Sequence, residues 1–460
     1  MHRLPTVLPF VILVALHPAT AQLTLTDALR RADSAAVANR QAAGVRDERD
    51  GLALAPLRGI LPALRTEASL VRTTDPIGAF GTLLRQRRIG PADFDPARLN
   101  FPSAVTNYGA GVIAEVPILN IDAWIGRTAA VRGAAAGQAA ADWTRSTVRA
   151  DVVRAYFGAL LADVKVDMLE AAARSAAAHV RQAESLQRNG LATPSDALLA
   201  SVKAGELDAD LATARGDVTN ARRGLAVLVG GDGRESVIPL GALPTAEALR
   251  RFVAADPVAT STQRSDVRAA TLGADAARAD ATRATAAVLP RLNGFARWDW
   301  NDPGRLFGGE KNWTVGLMAS WSPFTGAAEI AEQRAATGRA NAAHALADGM
   351  AAQARLEGER ATTDLTVAMQ RLVIAERGAV QATDAHRIVS RRYDGGLATV
   401  VELLDAAATD TRVATRLAVA RFDVVSALAM RQLVFGLDPA ALAALDHFES
   451  RPANSKDAEK

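Results

Sequence analysis

Four stretches of this chain alternate apolar and polar residues, and each is about ten residues long. In 312–321, Trp313, Val315, Leu317, Ala319 and Trp321 fall on one face. Asn312, Thr314, Gly316 and Ser320 fall on the other, with Met318 as the exception. In 291–300, Leu292, Ala296, Trp298 and Trp300 oppose Asn293, Arg297 and Asp299. The stretches 63–72 and 107–116 follow suit, with Leu64, Ala68 and Leu70 in the first and Val112, Ala114 and Val116 in the second. A period of two with one apolar face predicts half-buried strands. The length also suits a tilted strand crossing a bilayer. Periodicity leaves two settings open: strands in lipid, or a soluble sandwich or sheet covered by helices. Trp298, Trp300, Trp313 and Trp321 lie on the apolar face near strand ends, where a membrane-interface belt of aromatics is expected. In lipid, an open sheet would strand unpaired N–H and C=O groups, so a membrane setting requires several chains to share one barrel.

Long proline-free stretches follow each pair of strands. No proline occurs between Pro117 and Pro194, or between Pro323 and Pro439. Helices are predicted over 121–188, 194–229, 325–392 and 399–435. The first would be roughly 100 Å long at ~1.5 Å per residue. In the shorter partner helices, apolar and small residues step by four and three, from Leu207 to Leu228 and from Val413 to Val434. That spacing fits a coiled coil and equally an ordinary antiparallel bundle.

The turns between these helices are nearly the same words: GLATPSDALLA at 190–200 and GLATVVELLDA at 396–406. The same interval maps Pro117 onto Pro323 and Gly230 onto Gly436 without a gap, which marks an internal duplication. The first half carries extra residues in the Pro/Gly/Arg-rich stretch 73–106, which reads as a long loop. Gly190 and Gly396 are placed to end a helix, because glycine tolerates a left-handed conformation. Thr193 and Thr399 are placed as N-caps of the next helix, with Pro194 at the first helical position. Asp196 and Glu402 fall three residues after the caps, and Thr399-x-x-Glu402 is a capping box. The expected layout is a signal peptide over 1–21, one repeat over 22–230, a second over 231–437, and a C-terminal segment over 438–460 ending in a disordered tail.

Composition narrows the function. Of the 460 residues, 49% are hydrophobic but only 5% aromatic, so alanine carries much of the apolar content and suits helices packed at close range. The formal charge of +3 is spread without a basic block, which gives no support to nucleic-acid binding. Arg3, the apolar run Val7 to Leu16 and Ala19-Thr20-Ala21 read as a cleaved secretory signal, too short to span a membrane. Cysteine is absent, so disulfides and a lipid anchor on an N-terminal cysteine are excluded. No later stretch is apolar for long enough to be a transmembrane helix. The six histidines have no metal-ligand spacing, and VGGDG at 229–233 lacks the Lys-Ser/Thr of a phosphate loop. No catalytic, metal or cofactor site is expected.

The chain resembles the TolC family of outer-membrane efflux channels. The resemblance is carried by Tyr393-Asp394-Gly395-Gly396 followed by Val401-Glu402-Leu403-Leu404-Asp405-Ala406, by the weaker first copy at Gly190 to Ala200, and by the Leu-Pro, strand, Pro, helix order of both halves. It covers about residues 23–437. It implies a mainly α protein with long antiparallel helical hairpins forming an α-barrel. Four strands per chain would enter a shared trimeric β-barrel, and shorter helices near 245–256 and 440–447 would form a belt. It implies a homotrimer in the outer membrane of a Gram-negative bacterium, reaching into the periplasm. The implied partners are a periplasmic adaptor (membrane fusion) protein and an inner-membrane RND or ABC transporter, in a tripartite pump or type I secretion system. It also implies a gate at the helix tips, with Glu402 and Asp405 at the acidic aperture positions and Asp196 and Tyr393 among the contacts that hold it shut. A basic residue that some members place after the second glycine is here Ala398; Arg391 and Arg392 are the candidates to replace it. Spacing of three puts Glu402 and Asp405 on one helix face. The alternative class is a soluble periplasmic adaptor or scaffold without a membrane barrel, and capping accounts for Asp196 and Glu402 without any gate.

Overall fold

The computed structural model describes residues 21–190, 192–255 and 264–445. The expected signal peptide up to residue 20, and the tail from 446 onward, lie outside the described residues. In chain order the elements are β1 (Ala21–Leu23), α1 (Leu25–Ala35), α2 (Val37–Leu54), β2 (Ala63–Thr73), α3 (Pro76–Arg85), α4 (Pro96–Asn100), β3 (Val105–Leu119), α5 (Ile121–Arg188), α6 (Pro194–Leu228), β4 (Val237–Pro239), α7 (Ala246–Ala255), α8 (Ser265–Ala286), β5 (Arg291–Asp302), β6 (Glu310–Ser320), α9 (Ala328–Asp394) and α10 (Val400–Val434). The chain is mainly helical with a small β part. Among the described residues no helix is long and apolar enough to cross a membrane.

The fold divides into two units, each drawing on both halves of the sequence. One comprises Val45–Ala139 and Asp266–Met350. It holds an antiparallel sheet in the order β2-β3-β5-β6, so the two hairpins meet through β3 and β5. Register is continuous across the sheet: Leu64 pairs Ala114, which pairs Ala296, which pairs Val315. One residue along, Arg65 aligns with Ile113, Arg297 and Thr314. Alternation has therefore placed apolar side chains on one side of the whole sheet and mostly polar ones on the other. On the polar side Arg297 reaches Asp299 at 2.8 Å and Glu67 at 3.7 Å, while Arg65 reaches Glu67 at 3.2 Å and Glu115 at 3.8 Å. The apolar side is uncovered: Leu64, Leu317, Trp313 and Val315 each expose about 70% of their surface.

The stretch 73–106 is not the irregular loop that its composition suggests. It contains α3 and α4. Both start the same way, with Asp75 and Asp95 accepting from Gly78 N–H and Ala97 N–H as N-caps ahead of Pro76 and Pro96. Proline at the first helical position sacrifices no intrahelical hydrogen bond and presets φ, so the two Asp-Pro pairs are start signals within a stretch read for its breakers.

The other unit comprises residues through Gly44, Ala140–Ser265 and those from Ala351 onward. Its core packs α1, α5, α6, α7, α9 and α10 around fully buried Leu25, Tyr156, Phe157, Leu225, Leu372 and Leu428. β1 and β4 form a short parallel pair, and the Tyr156 hydroxyl donates to Leu23 O at 3.2 Å and to Leu240 O, which anchors both strands to α5. Arg149 bridges Asp33 at 2.7 Å and Asp438 at 2.9 Å, and these carboxylates raise its pKa further. Arg264 is buried, stacks on Trp143 at 4.7 Å and pairs with Glu357 at 2.5 Å. The guanidinium thus satisfies both its charge and its flat face. The short belt helix implied near 245–256 is α7. The segment near 440–447 is instead a 3₁₀ turn, Pro439–Ala444, capped by Asp438. It is too short for an α-helix to gain from propagation.

α6 and α10 end alike. Gly230 (φ +92°) and Gly436 (φ +69°) take the left-handed conformation, and Gly231 N–H and Leu437 N–H close back to Ala226 O and Gln432 O at 2.8 Å each. A side chain at Gly230 would meet Ala35 at 2.6 Å, whereas one at Gly190 (φ +73°) would meet nothing within 4 Å. Both glycine-to-alanine changes impose the left-handed penalty of about 1–2 kcal/mol. Gly230→Ala adds a backbone clash. Thermal unfolding of the solubilised protein should therefore show a clearly larger drop in midpoint for Gly230→Ala than for Gly190→Ala, and equal drops would contradict this packing.

Candidate functional site

The two GLAT turns repeat one local conformation. Gly190 and Gly396 share φ +73°, and their N–H groups donate to Gln187 O and Tyr393 O at 3.0 Å each. In the second turn Leu397 N–H also reaches Arg392 O at 2.7 Å. That six-residue closure ends α9 in a Schellman arrangement. Thr193 and Thr399 then cap α6 and α10, and both turns form complete capping boxes. Asp196 closes the first box as well, accepting from Thr193 N–H at 3.0 Å, so aspartate serves there as glutamate does in the second turn. Glu402 accepts from Thr399 N–H at 2.7 Å, a bond that leads the causes holding its carboxyl below the usual glutamate value. Arg392 adds to that effect as a nearby charge, and its guanidinium donates to Leu397 O at 2.9 Å. Arg392 thus ties its own turn together from the cationic side, six residues before Ala398, where a base is missing.

A small apolar cluster joins the two turns. Ala183 of α5, Ala197 and Ala200 of α6, and Val400 and Leu404 of α10 are buried together, with Val180 and Tyr393 packed at the edge. Burial is the main reason the Tyr393 hydroxyl titrates above the ordinary tyrosine value, and the carboxylates of Asp196 and Asp394 push it the same way. The fold therefore brings Tyr393 of the second repeat beside Asp196 of the first. Glu402 and Asp405 are both exposed on the first turns of α10. Lys203 of α6 lies close enough to Asp405 for their charges to interact, though its ion pair is with Glu206 at 2.8 Å. Lys203 was not singled out by its surroundings in the sequence; four residues after Leu199 on an exposed face, it looks like any solvated lysine.

Further along the same helices, His179 of α5 and His386 of α9 come near each other. His386 Nδ1 lies 3.1 Å from Asp410 Oδ2, and Thr383 donates to the other Asp410 oxygen at 2.8 Å. His179 lies 3.3 Å from Ser175 Oγ. Burial, and then the neighbouring His386, hold His179 below the usual histidine pKa, against a smaller opposing pull from Asp394 and Gln182. In sequence these histidines are scattered; the duplication places them one residue out of register with each other, which is the signal that could have paired them.

The four tryptophans belong to the sheet unit and share its apolar side. Trp298 pairs directly with Trp313 across β5 and β6. Trp298 and Trp300 lie 6.5 Å apart between centroids with their planes tilted by 47°, and Trp300 meets Phe307 edge-on at 5.9 Å. Trp321 donates its indole N–H to Val288 O at 3.0 Å, at the opposite end of the sheet. Such rings carry an apolar body and a polar handle suited to a boundary between hydrocarbon and water.

This architecture is shared with solved outer-membrane channels. The CmeC outer membrane channel of Campylobacter jejuni superposes with a TM-score of 0.74 at 16% identity, covering 90% of this chain and 85% of that one. VceC of Vibrio cholerae gives 0.72 at 20% identity (90% and 96% covered), and the MtrE outer membrane channel of Neisseria gonorrhoeae gives 0.70 at 19% (90% and 89%). No curated protein matches by sequence. The sequence does match the family described as outer membrane efflux protein, over residues 59–231 and again over 258–432. The chain belongs to that family of TolC-like channels, and it is an outer-membrane efflux channel.

His179 provides a pH test of the tip. Its folded pKa is lowered, so unfolded or locally opened chains bind more protons in mild acid. Stability is complete above the unfolded value near 6.5 and declines as pH falls from there toward the lower folded value. Amide exchange in 175–188, corrected for intrinsic rates, should be faster at about pH 5.5 than at about pH 7.5. His179→Asn should abolish that difference; a pH dependence unchanged in the variant would remove His179 as its source.

Proposed function

We propose that three copies of this chain assemble into a duct through the outer membrane and periplasm. Each copy contributes β2, β3, β5 and β6 to one shared barrel. The observation that carries this reading is the two-faced sheet. Its uncovered apolar side, with Trp298, Trp300, Trp313 and Trp321, suits lipid. Its charged side suits a water-filled bore. The strands β2 and β6 each have a neighbour on one side only among the described residues, and pairing between neighbouring copies would satisfy the backbone groups of their outer edges. The alternative of a soluble periplasmic adaptor would leave that apolar side in water. The two repeats, 22–230 and 231–437, are read as a duplication whose halves each supply one hairpin of strands and one of helices. The stretch 1–21 is read as a signal peptide, and the absence of cysteine as the absence of a lipid anchor.

In this reading the protein is a passive conduit without chemistry, cofactor or metal of its own. A periplasmic adaptor would dock on the helical part and an inner-membrane RND or ABC transporter would supply cargo and energy. The tip is the gate. Glu402 and Asp405 from three copies would ring the aperture with carboxylates and favour cations. Asp196 and Tyr393 would hold neighbouring hairpins together through the cluster around Leu404. The capping role of Glu402 is compatible with this, because a carboxylate that accepts Thr399 N–H keeps its charge.

Membrane fractionation and planar-bilayer recording test the duct, which should appear as a trimeric pore in the outer membrane. Recovery as a soluble monomer would sink it. Glu402→Gln with Asp405→Asn keeps a cap acceptor while removing charge, so the reversal potential in a salt gradient should move toward lower cation selectivity. Asp196→Ala or Tyr393→Phe should raise conductance severalfold by loosening closure. Recordings showing neither change would leave the pore without this gate.

A further inference from the structure

The residues inserted between β2 and β3 are docked onto the polar side of the sheet. Gln86, directly after α3, is buried, and its side-chain nitrogen donates to Thr106 O and to Asn107 Oδ1, both at 2.9 Å. Asn107 is also buried and donates in turn to Asn301 Oδ1 at 2.9 Å. One relay of amides thus links the insertion to β3 and β5, the strands through which the two hairpins join. A second attachment lies further across. Arg87 pairs with Glu310 at 3.1 Å and donates to Lys311 O at 3.4 Å, while Asn312 donates to Arg85 O at 3.3 Å. The insertion therefore spans from β3 to β6.

Register identifies the side on which it lies. Asn107 alternates with Tyr108 and shares its side with Gly109 and Gly111; Asn301 pairs Gly109, Glu310 pairs Asn301, and Asn312 pairs Asp299. All four anchors fall on the side of Arg297 and Asp299, opposite the tryptophans. They also fall at the end of the sheet where both hairpins turn. Gly109 and Gly111 let Ser69 Oγ and Asp299 Oδ1 approach closely there, since a Cβ at either would come within 2.7 Å of that side-chain oxygen and make it turn away. A loop that merely decorated the outside of a barrel would need none of these contacts. Phe80 and Phe94 meet edge-on at 5.8 Å within the insertion, which gives it a small core of its own.

We propose that residues 76–101 form an inward-folded collar, which narrows the outer mouth of the duct and sets the size of what can pass there. This rests on the reading of the polar side as the bore. Three copies would place three collars around one opening, each held by the Gln86–Asn107–Asn301 relay and the Arg87–Glu310 pair. Selection by bore width is a general property of water-filled pores.

The absence of native cysteine provides a clean probe. Thr314 is exposed on the polar side, four residues deeper along β6 than Glu310. Thr314→Cys would be expressed in intact cells and treated from outside with a small charged maleimide or with a large polyethylene-glycol maleimide. With the collar present, the large reagent should label about tenfold more slowly than in a variant with 76–101 replaced by a short Gly-Ser linker. The small reagent should label both equally. Gln86→Ala combined with Arg87→Glu detaches both anchors without shortening the chain. It should give the same gain if the deletion does not reach the membrane. Equal labelling of the intact and detached chains by the large reagent would overturn the collar. If the small reagent labels neither chain in cells but both after lysis, the polar side is not an externally open bore, and the barrel reading fails instead.

Discussion

A sheet with one uncovered apolar side and two open edges is the constraint on which the rest of this molecule depends. Water disfavours the apolar side by roughly 25 cal/mol for each Å² left exposed. Hydrocarbon disfavours the open edges, where unpaired backbone groups each cost several kcal/mol. Neither solvent alone suits a single copy. A closed ring of copies in a bilayer removes both penalties together, and membership in an outer-membrane efflux family accords with that outcome. The ion-pair lattice of Arg65, Glu67, Arg297 and Asp299 on the opposite side belongs to the same solution, because it needs water or its own partners.

The helical unit answers a different demand. Its elements come from a duplicated plan, yet the two copies have diverged in what they bury. Tyr156 and Phe157 of α5 are wholly buried, while Thr362 and Thr363 stand at the corresponding places in α9. The Tyr156 hydroxyl reaches the β1–β4 pair through Leu23 O and Leu240 O, a bond that threonine at the corresponding place in α9 is too short to copy. α10 instead buries one continuous stripe toward its end, Val424, Val425, Leu428, Ala429, Gln432 and Leu433, while Met430 between them stays exposed. Duplication thus supplied matching helices, and packing then assigned them unequal roles.

At the tip, local folding and the proposed gating draw on the same side chains. A carboxylate three residues after a threonine cap satisfies a backbone N–H and offsets the positive end of the helix. A ring of such carboxylates from three chains would also present negative charge to a narrow passage. The two uses do not compete for the charge. They compete for geometry, since a capped carboxylate is held against its own turn. Asp405, which has no capping duty, is freer to face the passage than Glu402, and Lys203 nearby offers it a cationic counterpart.

Much of the fold was legible in the sequence because its elements are encoded locally. Alternation set the faces of four strands, proline-free runs gave the long helices, and Gly, Thr and Pro wrote the turns in terms of backbone dihedrals. The helices in 76–100 carried equally local Asp-Pro signals, obscured by a composition rich in breakers. Other features depended on residues brought together from distant parts of the chain: Gln86 with Asn107 and Asn301, His179 with His386, Arg264 with Trp143 and Glu357, Tyr393 with Asp196. Nothing in the neighbours of each such residue specifies its partner, because a lone glutamine or histidine on a helix reads as solvated until packing excludes water from it. Sequence by itself determined the elements, their faces and the repeated turn, through steric and hydrogen-bonding rules that act within a few residues. Tertiary structure alone decided which polar groups were buried together and which side of the sheet the insertion would cover.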